Sequence, residues 1–256
     1  MKKFDSTKPL NSFDFRGEVA IVTGGAQGIG YAISRTLAEL GADVIIADRD
    51  ADAVTIASEN AGNRTQGFSC DVTDAQQVEE LMNATWQRFG RIDMVVNNAG
   101  TAIRDSSVNL SLEDWQKVVD VNMTAVFSVA RTAVRRHLGR DNKDTVLRIV
   151  NMASVMGLSG GGIYPNPSYQ ATKGAVINMT RAMAVEWGSD QVRVNALAPT
   201  WVRTELMASL LADPKIVNQM EAAMPLGRLA DPDDVAGAAM FLLSPAASMI
   251  TGHTLA

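Results

Sequence analysis

Tyr169 and Lys173 stand four residues apart in a stretch that reads as a helix, so their side chains share one face about one turn apart. A phenol titrates near about 10 and is a poor base at neutral pH, but a neighbouring ammonium favours its phenolate and draws the pKa down. Such a pair can move a proton. At this spacing alone it is equally an ordinary surface pair. Ser154, four residues past the apolar run Val146 to Val150, sits where a loop hydroxyl can hold a substrate oxygen.

A second group of residues suits an anion. In Thr23-Gly24-Gly25-Ala26-Gln27-Gly28-Ile29-Gly30 the glycines let backbone N–H groups approach a phosphate, and the helix that follows presents its positive end to it. No Lys-Ser/Thr pair follows the glycines, which excludes the Walker arrangement. Asp48 closes a second apolar run, eighteen residues after Gly30, where a carboxylate accepts hydrogen bonds from both hydroxyls of an adenosine ribose and repels a phosphate. Its plainer reading is a helix N-cap or a solvated loop acid. Arg49 beside it can attract a 2′-phosphate.

These residues need a frame that brings loop ends together. Runs 18–23, 44–47, 65–70, 92–96, 146–150 and 192–197 are short and apolar or β-branched, and read as strands. Between them lie helical patterns near 29–40, 50–60, 112–138 and 168–187, one whose apolar face is Val78, Leu81, Met82, Trp86 and Phe89, and later ones at 205–211 and 233–243. Strands separated by helix-length segments require crossovers, which predicts an α/β fold: a doubly wound, mostly parallel sheet with helices on both faces. Residues 1–16 read as an N-terminal extension and 17–256 as a single domain. A strand beginning near His253 would have only a few residues, so either the edge strand is very short or the chain stops before its natural end.

Composition narrows the partners. The chain has 256 residues, 46% hydrophobic and 20% charged, which supports a sizeable core. A net charge of −5 gives no basic field for nucleic acid. One cysteine, Cys70, reads as a small buried hydrophobe; two histidines, His137 and His253, supply no metal-ligand cluster, so no metal is expected. Met1 to Arg16 holds no apolar signal region and no run reaches 18 apolar residues, so a cytoplasmic protein without a membrane partner is expected. Trp201, Leu206 and Met207 follow a strand end and can touch substrate, within a segment 200–224 expected to cover the site.

Taken together, Thr23-Gly24-x3-Gly28-Ile29-Gly30, Asp71-Val72, Asn97-Asn98-Ala99-Gly100, Asn122, Ser154, Tyr169-x3-Lys173 and Pro199 with Thr204 closely resemble the short-chain dehydrogenase/reductase family, from about Gly17 onward. The resemblance implies a Rossmann-type domain that moves a hydride between a nicotinamide ring and a carbinol or carbonyl carbon. Tyr169 would be the acid/base, Ser154 would hold the substrate oxygen, Lys173 would tune the phenol and bind the nicotinamide ribose, and Asn122 would anchor a relay water. Gly24, Gln27, Gly28, Ile29 and Gly30 would meet the cofactor, with Asp48 at the ribose and Asp71 and Val72 at the adenine. Asn98, Ala99 and Gly100 would line the cleft, and Val202 and Thr204 would hold the carboxamide. The chain departs from the family in a longer glycine- and proline-rich stretch between Ser154 and Tyr169, which makes Ser159 a rival for the substrate oxygen. It also has Thr200 where glycine is common, and lacks the usual terminal Val-Asp-Gly-Gly.

The resulting expectation is an NAD-dependent oxidoreductase acting on a secondary alcohol or ketone of a small polyol or sugar alcohol, assembled by family similarity as a homotetramer through helices near 112–138 and 168–188. One alternative is a 3-oxoacyl-carrier-protein reductase, which needs NADPH and basic patches for an acidic carrier; Asp48 weighs against it. Another is a catalytically silent dinucleotide-binding sensor or scaffold.

Overall fold

The structure, a computed structural model, describes residues 12–140 and 145–256. Seven strands form one parallel sheet: β1 (Val19–Thr23), β2 (Asp43–Asp48), β3 (Thr65–Ser69), β4 (Met94–Asn97), β5 (Leu147–Met152), β6 (Val192–Leu197) and β7 (Thr254–Leu255). Their order across the sheet is β3-β2-β1-β4-β5-β6-β7, every pair parallel. The order reverses between β1 and β4, which opens a crevice beyond their carboxyl ends.

Alternation along each strand divides the core into two layers. Ala20, Val22, Val44, Ile46, Met94 and Val96 pack on the face covered by α1 (Gly28–Glu39) and α9 (Pro232–Leu243). Ile21, Ile45, Ala47 and Val95 point the other way, toward α3 (Ala75–Phe89), α5 (Ala125–Leu138) and α6 (Pro167–Trp187). Continuously apolar strands are what burial on both faces demands. The remaining helices are α2 (Ala51–Asn60), α4 (Leu112–Val119), α7 (Ala208–Leu211) and α8 (Pro214–Ala222). Among the described residues no helix is long and apolar enough to cross a membrane.

Three expectations need amendment. The single helix 112–138 is interrupted: residues Asp120–Thr124 form a π-helical turn between α4 and α5. The segment read as a helix over 205–211 is a 3-10 turn at Glu205–Met207 followed by the single turn of α7, and α8 is a separate helix capped by Asp213. Of the extension 1–16, residues 1–11 lie outside the described residues; Phe15 is fully buried in the core, its N–H bonded to the Leu40 carbonyl at 3.0 Å. The last strand, β7, is two residues long and pairs with the end of β6.

Candidate active site

The turn from β1 into α1 is shaped by what its glycines leave out. A Cβ on Gly30 would stand 2.1 Å from the Gly24 carbonyl and 2.5 Å from Asn98 Nδ2, and one on Gly24, whose φ is +59°, would meet the Ala99 backbone at 2.8 Å. Asn98 Nδ2 donates to the carbonyls of Thr23 (3.1 Å) and Gly24 (2.8 Å), while Thr23 Oγ1 accepts from the N–H groups of Asn98 and Ala99. The loop after β4 therefore fastens the turn after β1. Helix α1 starts without a side-chain cap at Gln27 and without an acid in its first turn, so its first N–H groups carry no capping side chain, while the Glu205 carboxylate lies beside Gly28, 3.3 Å from where a Cβ would stand.

The adenosine end is equally open. Asp50, not Asp48, caps α2, accepting the Ala53 N–H at 3.0 Å. Asp48, half-buried at the end of β2, takes only a long 3.4 Å contact from the Asp50 N–H. Its carboxylate is thus left for a ribose diol. Arg49 is exposed. Asp71 accepts from Thr73 N–H and Oγ1 at 2.9 and 2.7 Å, holding the loop after β3 with Val72 buried beneath it. A turn with no room for a Cβ, an uncapped helix end and a carboxylate at the next strand together fit a dinucleotide, whose pyrophosphate α1 could hold and whose adenosine ribose Asp48 could meet.

Past the crevice, the loop after β5 and helix α6 carry the side chains expected to react. Ser154 is buried and its Oγ accepts the Met156 N–H at 3.1 Å, capping a 3-10 turn. Helix α6 supplies Tyr169 and Lys173; Lys173 Nζ lies 5.4 Å from the Tyr169 ring centroid and donates to the Met152 carbonyl at 2.6 Å. A Cβ on Gly157 would stand 2.6 Å from the Lys173 backbone, so that glycine lets the loop after β5 lie against α6. Asn122 sits fully buried in the π-helical turn; its Oδ1 accepts the Thr101 N–H at 2.8 Å, and its Nδ2 donates to the Thr101 carbonyl at 2.9 Å and to Thr172 Oγ1 at 3.3 Å. One amide thereby joins the loop after β4 to α6. Gly100, whose Cβ would lie 3.7 Å from Lys173 Nζ, completes that wall.

The expectation that Lys173 lowers the Tyr169 pKa is corrected. Burial pushes the phenol up to about 12, opposed by a hydrogen bond with Ser154, reinforced by Tyr164 and opposed again by the charge of Arg104. Burial also pulls Lys173 down to about 8. Desolvation of the phenolate outweighs an ammonium that is itself desolvated and turned to a backbone carbonyl.

Around Ser154 and Tyr169 closes a pocket that also includes Ile29, Thr200, Val202 and Thr204. Ile29 and Thr204 belong to both pocket and cradle, for a Cβ on Gly28 would touch Thr204 Cγ2 at 3.1 Å. The long insertion delivers Tyr164 and Asn166 to the pocket but leaves Ser159 exposed, its hydroxyl 3.4 Å from the Gly161 N–H; Ser159 is not among the pocket residues. Trp201 Nε1 donates to Tyr164 Oη at 3.2 Å, and Leu206 and Met207 form the lid side, with Met207 in a small core of its own with Leu210, Met220 and Leu229. Arg104 and Tyr164 were not singled out by the sequence. A lone arginine in a loop carries no spacing signal; only its place shortly after Asn98-Ala99-Gly100 hints at the site. Cys70 is buried and its thiol is pushed up to about 11, chiefly by burial, which leaves it inert.

The geometry agrees with what the chain resembles. The family described as enoyl-(acyl carrier protein) reductase matches residues 24–256. A D-threitol dehydrogenase from Mycolicibacterium smegmatis is 39% identical over 248 residues, 95% of this chain and 93% of the relative. A cis-4-hydroxycyclohexanecarboxylate dehydrogenase from Sinomonas cyclohexanicum is 40% identical over 245 residues, covering 94% and 95%. A crystal structure of a short-chain type dehydrogenase/reductase from Mycobacterium marinum superposes with a TM-score of 0.91 at 33% identity, covering 96% of each chain. With kinship of that depth running through both the glycine turn and the Tyr-Lys helix, the chain belongs to the short-chain dehydrogenase/reductase family of oxidoreductases acting on alcohol and keto groups.

Proposed function

We propose that this oxidoreductase uses NAD(H) and interconverts a secondary alcohol and ketone on a small polyol or sugar-alcohol-like substrate. The observation that carries the reading is the junction of pocket and cradle: Ser154 and Tyr169 line a cavity together with Ile29 of the glycine turn and Thr204, which lies against Gly28 of the same turn. The bound dinucleotide supplies the hydride acceptor or donor. The protein supplies the rest.

For oxidation, Ser154 holds the substrate hydroxyl beside Tyr169, and the phenolate oxygen takes its proton; for reduction, the neutral phenol gives that proton to the carbonyl oxygen. A phenol pushed up to about 12 keeps its proton near neutrality, ready to act as the acid, and serves as the base only after losing that proton. Arg104 supplies positive charge that favours that loss, and the Ser154 hydrogen bond acts the same way. Asn122 holds the Thr101 backbone and, on family grounds, a relay water. Val202, in a bridge to Ala230, and Thr204 form the rim where a carboxamide would be held.

Asp48 supports NAD over NADP because its carboxylate, released from capping duty, suits a diol and opposes a phosphate. The name of the threitol relative supports the polyol, as do the polar Thr200 and Asn166 of the pocket. The acyl-carrier reading is favoured by the family description, but a chain of net charge −5 offers little to an acidic carrier. A homotetramer is supported by apolar side chains left exposed on α5 and α6, Phe127, Leu138 and Val185 among them. Initial rates for a panel of polyols, sugar acids and 3-oxoacyl thioesters with each cofactor test the proposal. Turnover of hydroxylated substrates with NAD supports it; preference for thioesters with NADPH selects the alternative, and cofactor binding without turnover of any compound selects the silent sensor.

A further inference from the structure

We infer that the substrate of this pocket carries a carboxylate, met by Arg104, and a hydroxyl beside it, met by Asn166. The inference rests on the dehydrogenase reading above and narrows its substrate from polyols to polyhydroxy acids.

Arg104 enters the pocket from the loop after β4, and among the described residues no Asp or Glu forms an ion pair with it. Its Nη2 donates to the Leu206 carbonyl at 2.9 Å, and its guanidinium stacks over the Tyr164 ring at 5.6 Å, so the fork is held in place. Its Nε is buried and has no acceptor. A fixed planar cation with a dry, unused donor is poised for a planar bidentate anion. Asn166 is 2% exposed, lines the same cavity, and its Oδ1 has no donor. A buried acceptor of that kind is completed by a substrate hydroxyl.

The charge balance selects a carboxylate over a phosphate ester. Arg104 is the one guanidinium among the pocket residues, and Lys173 is already committed to Met152. A dianion there would leave uncompensated negative charge next to the phenol that must ionise. The field of Arg104 already reaches Tyr169, where it favours the phenolate, which places the two groups within one electrostatic neighbourhood.

The test uses five- and six-carbon polyhydroxy acids, each paired with its own primary amide, with the corresponding sugar phosphates as a third arm, in the presence of NAD. The unmodified protein is expected to favour acid over amide by about 30-fold or more in kcat/KM, carried mostly by KM. Arg104→Gln should bring that ratio close to one, and Arg104→Lys should retain part of it. Because Arg104 also packs on Tyr164, NADH affinity and the thermal midpoint of each variant are measured alongside, and both should stay near those of the parent. Equal use of acid and amide by the parent, an unchanged ratio in Arg104→Gln, or a preference for the phosphate ester overturns this inference alone. No turnover of any member of any pair with either cofactor overturns the dehydrogenase reading and this inference with it.

Discussion

The two edges of the sheet carry charge in opposite ways. At the amino edge, Arg91 grips Asp93 through Nε and Nη2 at 2.7 and 2.9 Å, and Asp93 Oδ2 also accepts the Val19 N–H at 2.9 Å. Arg148 meets Glu18 at 2.9 Å and the Leu243 carbonyl at 3.1 Å, while Arg193 donates to the carbonyls of Leu242 and Ser244. All three guanidiniums are closed by an acid or by the last turn of α9, whose dipole favours positive charge there, although the Nε of Arg148 stays unpartnered. Arg193 is so far withdrawn from water that burial, with the repulsion of Arg148, brings its pKa down to about 10. At the carboxyl edge the same groups stand open: an uncapped helix, a released Asp48 and an unpaired Arg104. Closed charge fixes the fold, and open charge waits for a ligand.

That contrast breaks most sharply at Gly30. Gly30→Ala drives a methyl into the Gly24 carbonyl, and the turn must shift; dinucleotide affinity, read by NADH fluorescence titration, should fall by about 10²-fold. Unaltered affinity would show that the turn holds no cofactor. Asp93→Ala probes the other edge. It orphans the Val19 N–H and frees Arg91 toward water, so urea unfolding should show a loss of about 2 kcal/mol, while the turnover of the folded fraction stays unchanged. A fall in turnover without a fall in stability would erase the division between the edges.

Smaller effects sharpen it. Asp48→Ala should narrow the preference for NAD over NADP by about tenfold, mainly through NADP binding better, since one charge repulsion of roughly 1.4 kcal/mol is removed. Equal use of both cofactors by the parent protein contradicts the role given to Asp48. The shifted pKa values set the pH dependence. With the phenol pushed up to about 12, alcohol oxidation should rise with pH through neutrality and on into the alkaline range as the phenol is more readily emptied. Carbonyl reduction uses the protonated phenol and should not gain from alkali. Initial rates in both directions decide this, and an oxidation optimum on the acid side of neutrality contradicts it.

Much of the frame was readable from residue types. The run Val19–Thr23 is apolar on both faces up to its last residue, which a doubly covered parallel strand accommodates, while Val192–Leu197 is apolar on one face and carries Arg193 and Asn195 on the other. Tyr169 and Lys173 announce a shared helical face by spacing alone. What escaped was set by tertiary surroundings. The π-helical turn at Asp120–Thr124 exists where Asn122 reaches the Thr101 backbone, twenty-one residues away in sequence. Local composition could not say that Asp50 would cap α2 and leave Asp48 free, because both acids suit the position. The direction of the Tyr169 shift was missed for the same reason: spacing reveals the neighbouring charge but not the depth of burial that outweighs it. Arg104 became visible only once the loop after β4 was seen against the lid.

The proton-transfer role of Tyr169 beside an intact cofactor cradle is tested most directly by measuring NADH affinity and steady-state turnover on Tyr169→Phe and its parent in parallel. The phenyl ring keeps the packing and removes one hydroxyl. Affinity should stay within about twofold while kcat falls by about 10³-fold. Turnover comparable to the parent would remove Tyr169 from the chemistry, and with it the mechanism built on the pocket.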